Sequence, residues 1–177
     1  MKKIIPSLLV VLFCSLFLQE NFAQEQEKKL TLEDAIFPRK FYPDAVYGLK
    51  SMNDGQHYCV REGDCLNVYH YKTGKYVRTI LTSEDLVPED DTVAIRLSSY
   101  TFSEDETRIL IPTETESIYR YSSKSFYYVY DVDEKKLSPL SLNGKQRLAD
   151  FSPDGTKVAF VRDNNLFIKD IIKDEEK

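Results

Sequence analysis

Phe151-Ser152-Pro153-Asp154-Gly155-Thr156-Lys157-Val158-Ala159-Phe160-Val161-Arg162-Asp163-Asn164-Asn165-Leu166-Phe167-Ile168-Lys169-Asp170 is the stretch that decides the fold. Pro153-Asp154-Gly155 supplies a tight turn, with Pro preset near φ −65° and Gly free to adopt positive φ. Residues 156–162 alternate as a strand, Asp163-Asn164-Asn165 turns again, and a third strand starts at Leu166. Strand, turn, strand, turn, strand over twenty residues is the inner part of a blade in a β-propeller.

The same unit recurs upstream. Ser51-Met52-Asn53-Asp54-Gly55-Gln56-His57-Tyr58 and Phe102-Ser103-Glu104-Asp105-Glu106-Thr107-Arg108-Ile109-Leu110 repeat an apolar residue, an Asp turn and a β-prone run. Asp54, Asp105 and Asp154 lie 51 and 49 residues apart, the spacing expected of four-stranded blades. The middle copy has Glu106 where the others have Gly, so its turn must differ. Strands are predicted at about 56–61, 65–71, 76–81, 94–102, 107–112, 117–121, 125–131, 147–151, 156–162 and 165–170. The acidic segment 82–92 reads as a solvated connector, and Asp174-Glu175-Glu176-Lys177 as a charged tail. The fold class expected is all-β, a partial propeller of about three blades that leaves open edges.

The N-terminus reads as an export signal. Lys2 and Lys3 precede a fifteen-residue apolar run, Ile4 to Leu18, and the polar stretch after it ends at Ala23. Cleavage after Ala23 is expected, with an uncleaved anchor as the alternative. The run is shorter than the ~20 residues that span a bilayer, so no stable membrane span is expected. The domain reading is 1–23 signal peptide, 24–50 an extension with a short helix begun by Thr31, and 51–177 an incomplete propeller. Cleavage would leave 154 residues with net charge −6, a sign that argues against nucleic acid and anionic membranes as partners. The expected location is periplasmic or extracellular.

Cys59 and Cys65 remain as an even pair in an exported chain. A hairpin turn centred on Glu62 would set them opposite each other and allow a disulfide. The alternative is two independent thiols, because directly opposed residues meet disulfide geometry only at non-hydrogen-bonded positions. His57 and His70 have no partner at metal-ligand spacing, so neither a metal site nor a cofactor is expected. No Gly-x-Ser-x-Gly elbow, phosphate loop or His-Glu-x-x-His is present, and no catalytic residue is expected within these residues. Arg120 lies among aromatic residues in Ser117-Ile118-Tyr119-Arg120-Tyr121-Ser122. Its planar fork suits a carbonyl or carboxylate. Read from the residues alone, it pairs with a neighbouring Glu or stacks on Tyr119 or Tyr121.

Leu30-Thr31-Leu32-Glu33-Asp34-Ala35-Ile36-Phe37, Gly48 to Tyr58, Glu116-Ser117-Ile118-Tyr119-Arg120, and Phe151 to Lys169 occur in an order and spacing that resemble the start of bacterial dipeptidyl peptidase IV. The Asp-Gly hairpins are shared by many propellers. The Tyr-Arg-x-Ser segment followed by the Asn-Asn-x-Phe-Ile-Lys ending is far more specific. The resemblance implies a serine exopeptidase that releases dipeptides with Pro or Ala second, in which an eight-bladed propeller caps an α/β-hydrolase domain. It implies that Arg120 contacts a substrate backbone carbonyl, and that the enzyme can form a homodimer. It also implies that the paired glutamates for the substrate amine, the remaining blades and the Ser, Asp and His fall beyond residue 177, so this portion gates and binds substrate and is inactive alone. The chain departs from the family pattern at Tyr121, where His is frequent, and at Ser123, where an aromatic is frequent. A stand-alone secreted β-repeat binding module is the rival reading.

Overall fold

A computed structural model describes residues 31–36, 48–88 and 92–177, and the expected signal segment lies outside them. A short helix, α1 (Leu32–Ile36), starts where Thr31 Oγ1 accepts the Asp34 amide at 3.1 Å. The stretch Ala45–Lys177 is a separate compact unit. Its described residues contain twelve strands: β1 (Lys50–Ser51), β2 (His57–Glu62), β3 (Cys65–His70), β4 (Tyr76–Leu81), β5 (Thr101–Phe102), β6 (Arg108–Tyr119), β7 (Ser122–Asp131), β8 (Lys136–Pro139), β9 (Arg147–Phe151), β10 (Lys157–Arg162), β11 (Asn165–Asp170) and β12 (Glu175–Glu176). They form three antiparallel sheets in simple sequence order, β1-β2-β3-β4, β5-β6-β7-β8 and β9-β10-β11-β12. Three successive four-stranded meanders are the blades that the fifty-residue period predicted. Among the described residues no helix is long and apolar enough to cross a membrane.

Alternation on the middle blade explains how the blades stack. Ile109, Ile111 and Tyr130 point to the first blade, into a core with Cys59, Leu66, Val68, Ile80 and Leu81. Leu110 and Val129, one position along, point the other way and meet Val158 and Phe160 of the third blade. A period of two thus gives β6 and β7 two buried faces and makes the middle sheet the shared wall of both cores. Beyond the third blade the pattern has no partner among the described residues. Leu166 and Ile168 stay exposed there, on the face opposite Phe160 and Phe167.

The repeated Asp turns also touch each other. Asn53 of the first turn donates its amide to Glu106 Oε1 at 2.7 Å and its side chain to the Glu104 carbonyl at 2.5 Å. Arg108, just past the second turn, donates to the Gly155 carbonyl of the third at 3.4 Å. Gly55 and Gly155 each take a φ of 66°. Glu106 takes φ 59° without being glycine, and its carboxylate is the group that holds Asn53. The anomalous residue of the middle repeat is therefore the one that joins it to its neighbour.

Several sequence expectations need correction. The strands predicted at 107–112 and 117–121 are one strand, β6, and of the strand predicted at 94–102 only β5 forms, with 94–100 irregular. The segment 82–92 is not simply a solvated connector: Leu86 is fully buried in the first core, on a 3-10 turn (Glu84–Leu86). The charged tail contributes β12, which pairs with β11. The disulfide is not formed. Gly63, at φ 63°, and Asp64 make a two-residue connection that sets Glu62 opposite Cys65 and Cys59 opposite Val68. Side chains alternate, so the two cysteines lie on opposite faces of the sheet and both are free. Cys59 is fully buried, and burial pushes its thiol above the usual range.

Candidate functional site

The β6–β7 hairpin is the longest among the described residues, and only part of it has a core beneath it. From Arg108 to Thr113 its strands carry buried or half-buried residues. From Glu114 to Tyr121 every residue is exposed. That projecting limb of β6 reaches roughly 20 Å past the sheet, at about 3.3 Å per residue. Its tip is Arg120-Tyr121, between the paired residues Tyr119 and Ser122.

Arg120 therefore stands at the head of a projecting arm, rather than within a strand as the sequence suggested. Its guanidinium lies 5.9 Å from the centroid of the Tyr121 ring. No carboxylate pairs with it among the described residues. Tyr119 and Tyr121 flank it at 82% and 93% exposure, so its donors are open to an incoming acceptor. A stacked, uncompensated guanidinium with free planar donors can hold a peptide carbonyl through two N–H groups.

The base of the arm is held by residues that sequence reading passed over. Thr115 Oγ1 and Ser125 Oγ lie 2.8 Å apart across the hairpin. Lys124 pairs with Glu116 at 3.0 Å, and Lys145, from the connection between β8 and β9, reaches Glu116 Oε1 at 2.7 Å. Lys145 and Lys124 together hold the Glu116 carboxyl below the usual range. Gln146 is fully buried and accepts the Tyr127 amide at 3.0 Å. The only sequence signal for this cluster was the Asn143-Gly144 turn before it.

His57 and His70 form a cross-strand pair with rings 5.2 Å apart. His57 Nδ1 lies 2.5 Å from Asp54 Oδ2, and His70 Nδ1 accepts the Lys72 amide at 3.0 Å. Both therefore tie down turns. Among the described residues no group of three or more His, Cys, Asp or Glu could hold a metal ion. A groove of about 730 Å³ runs between the second and third blades. The charged groups lining it are largely committed to one another, as in Arg108–Asp131 and Lys169–Asp174.

Comparison with known proteins converges on the same segment. Residues 103–177 match the profile described as the dipeptidyl peptidase IV (DPP IV) N-terminal region. A probable dipeptidyl peptidase 4 of Aspergillus fumigatus is 31% identical over 146 residues, 80% of this chain and 18% of that protein. A probable dipeptidyl-aminopeptidase B of Podospora anserina is 38% identical over 76 residues, 41% of this chain and 8% of the relative. Among solved structures, the crystal structure of Porphyromonas gingivalis dipeptidyl peptidase 4 superposes with a TM-score of 0.65 and 41% identity, covering 73% of this chain and 18% of that one. The chain thus spans less than a fifth of the length of these relatives.

Proposed function

We propose, starting from the chain's membership of the dipeptidyl peptidase IV family as an N-terminal propeller region, that it is the substrate-gating and substrate-binding part of a serine exopeptidase. That enzyme releases dipeptides with Pro or Ala second from peptide N-termini. In this reading the attack on the scissile carbonyl, its general base and its oxyanion hole come from portions of the enzyme outside these residues. Arg120 orients the peptide by donating to a backbone carbonyl and takes no part in bond cleavage. The observation that carries the reading is the placement of Arg120, exposed on a projecting arm and free of any carboxylate among the described residues.

A donor of this kind works by orientation. A carbonyl gripped through a fork loses rotation about the peptide axis, which keeps the second residue registered against the nucleophile. Charge-assisted hydrogen bonds contribute about 1.5–3 kcal/mol. Arg120→Ala in the full-length peptidase should therefore lower kcat/KM for a Gly-Pro chromogenic substrate by about 2–3 kcal/mol, roughly 30- to 150-fold. An unchanged kcat/KM would return Arg120 to a structural role. The 177-residue chain alone should not hydrolyse that substrate, and turnover by it would refute the assignment of the chemistry elsewhere. Export completes the proposal. Edman sequencing of secreted material should begin at Gln24, and a start at Met1 would overturn cleavage.

A further inference from the structure

The arm that carries Arg120 leaves its sheet through a bulge. The ladder steps from Thr113–Phe126 to Glu116–Lys124, so β6 holds one residue more than β7 and Glu114 and Thr115 together oppose the single residue Ser125. Glu114 adopts φ 49°, a region that non-glycine residues seldom occupy. Packing does not set the direction of the arm beyond this point, because residues 114–121 are all exposed.

What spans the bulge comes from another element. Lys145 donates to the Glu114 carbonyl at 2.6 Å and to Glu116 Oε1 at 2.7 Å. Its side chain is only 13% exposed, and its amine sits 5.2 Å from the centroid of the Phe126 ring. The adjacent Gln146 is fastened to the fixed part of β7: it exchanges both backbone hydrogen bonds with Ser125, at 2.9 and 2.8 Å. The connection between β8 and β9 is thus a strap, anchored on the sheet by Gln146 and on the projecting limb by Lys145.

We propose that Lys145 is a positioning residue, which fixes through Glu114 and Glu116 the angle at which the hairpin presents Arg120. This rests on the reading of Arg120 as the donor to the substrate carbonyl. A lysine suits the task because one ammonium has three donors, enough to hold a backbone carbonyl and a carboxylate together.

Two measurements test it. The first is amide hydrogen exchange on this chain. Lys145→Met keeps the stem on Phe126 but removes the donors, and should speed exchange across 116–123 by about tenfold or more while β10 and β11 stay as in the parent. Lys145→Arg should restore protection. Glu116→Gln gives the same readout if Lys145→Met does not fold. The second is a double-mutant cycle in the full-length peptidase. Lys145→Met should raise KM for a Gly-Pro substrate about five- to tenfold, and should add nothing in an Arg120→Ala background, because it acts through that residue. Unchanged exchange, or an equal effect of Lys145→Met with and without Arg120, overturns the positioning role. Faster exchange combined with an inert Arg120→Ala instead overturns the functional reading, and leaves a strapped arm that presents nothing to a peptide.

Discussion

Removing the Glu176 carboxylate should destabilise the third blade far more than its place next to the last residue suggests. Arg162 donates to Glu176 Oε1 at 2.6 Å and to Ser141 Oγ at 2.8 Å, with side-chain exposures of 10% for the arginine and 17% for the glutamate. Its guanidinium lies 4.1 Å from the Phe167 centroid and 5.6 Å from that of Phe160. Glu176→Ala leaves that cation over the Phe167 ring without its carboxylate partner. Breaking a buried pair from one side costs about 3–5 kcal/mol, and the residual exposure of Glu176 places the expectation near 3. For a unit of this size that corresponds to a fall in Tm of about 10–15 °C. The assay is urea unfolding followed by near-UV circular dichroism of tyrosine, since the chain has no Trp. Glu175→Ala, on the same short strand but paired only with the exposed Lys177 at 3.5 Å, is the control and should stay within about 0.5 kcal/mol. The pH dependence is fixed in sign. Arg162 holds the folded Glu176 carboxyl below its usual range, so its contribution is full above the unfolded pKa of about 4.3 and is lost as pH falls through the folded value. The gap between parent and Glu176→Ala should therefore narrow below pH 4. A difference under about 1 kcal/mol at pH 7 would refute the view that this pair locks the blade.

Other perturbations separate the remaining contacts. Gly155→Ala should cost more than Gly74→Ala, since both sit at positive φ but only at Gly155 would a Cβ meet Asp105 Oδ1 at 3.3 Å and Ser103 Cβ at 3.4 Å. Left-handed strain of about 1–2 kcal/mol is common to both, and equal losses in urea would rule out a tight turn-to-turn approach. Phe160→Ala should lose about 3–5 kcal/mol in the same titration, as Phe160 is fully buried between two blades. Thiol labelling of the native chain should modify Cys65 and spare Cys59 until denaturant is added; a resistant, linked pair would show the register to be wrong. Asp54, held to about 2 chiefly by its hydrogen bond with His57, and Asp154, held to about 2 chiefly by Ser152, stabilise their turns above the unfolded pKa and release them between pH 4 and 2. Asp154→Asn should flatten that part of the acid-unfolding profile.

The blades were legible because a turn repeated at a near-constant interval is a local signal, carried by Asp54, Asp105 and Asp154. What the sequence concealed was set by register and by distant partners. Cys59 and Cys65 are six residues apart and suggested a bridge, yet a turn displaced onto Gly63 puts them on opposite faces. Glu114 and Glu116 looked like ordinary polar residues between two short strands, because a bulge has no signature until both strands are aligned. Lys145 lies 29 residues from the glutamate it holds, a separation that no window-based reading joins. Arg120 stood out among aromatic residues, but its reading as a substrate donor came only through likeness to a known segment; its exposure at the head of an arm depends on how far β6 runs past the core. The tail failed for a different reason: Glu176 reads as solvated until Arg162, fourteen residues earlier, is placed beside it.

Asn53 bonding to Glu104 and Glu106, and Arg108 bonding to Gly155, fasten each blade to the next through bonds that each join a side chain to a main-chain group. Misalignment at such joints would accumulate around a ring: a small tilt introduced at one is inherited by all that follow, and whatever must finally meet absorbs the total. A substitution at one of these unremarkable surface turns should accordingly disturb the neighbouring blade as well as its own, whereas one on an outer strand acts on the blade that carries it.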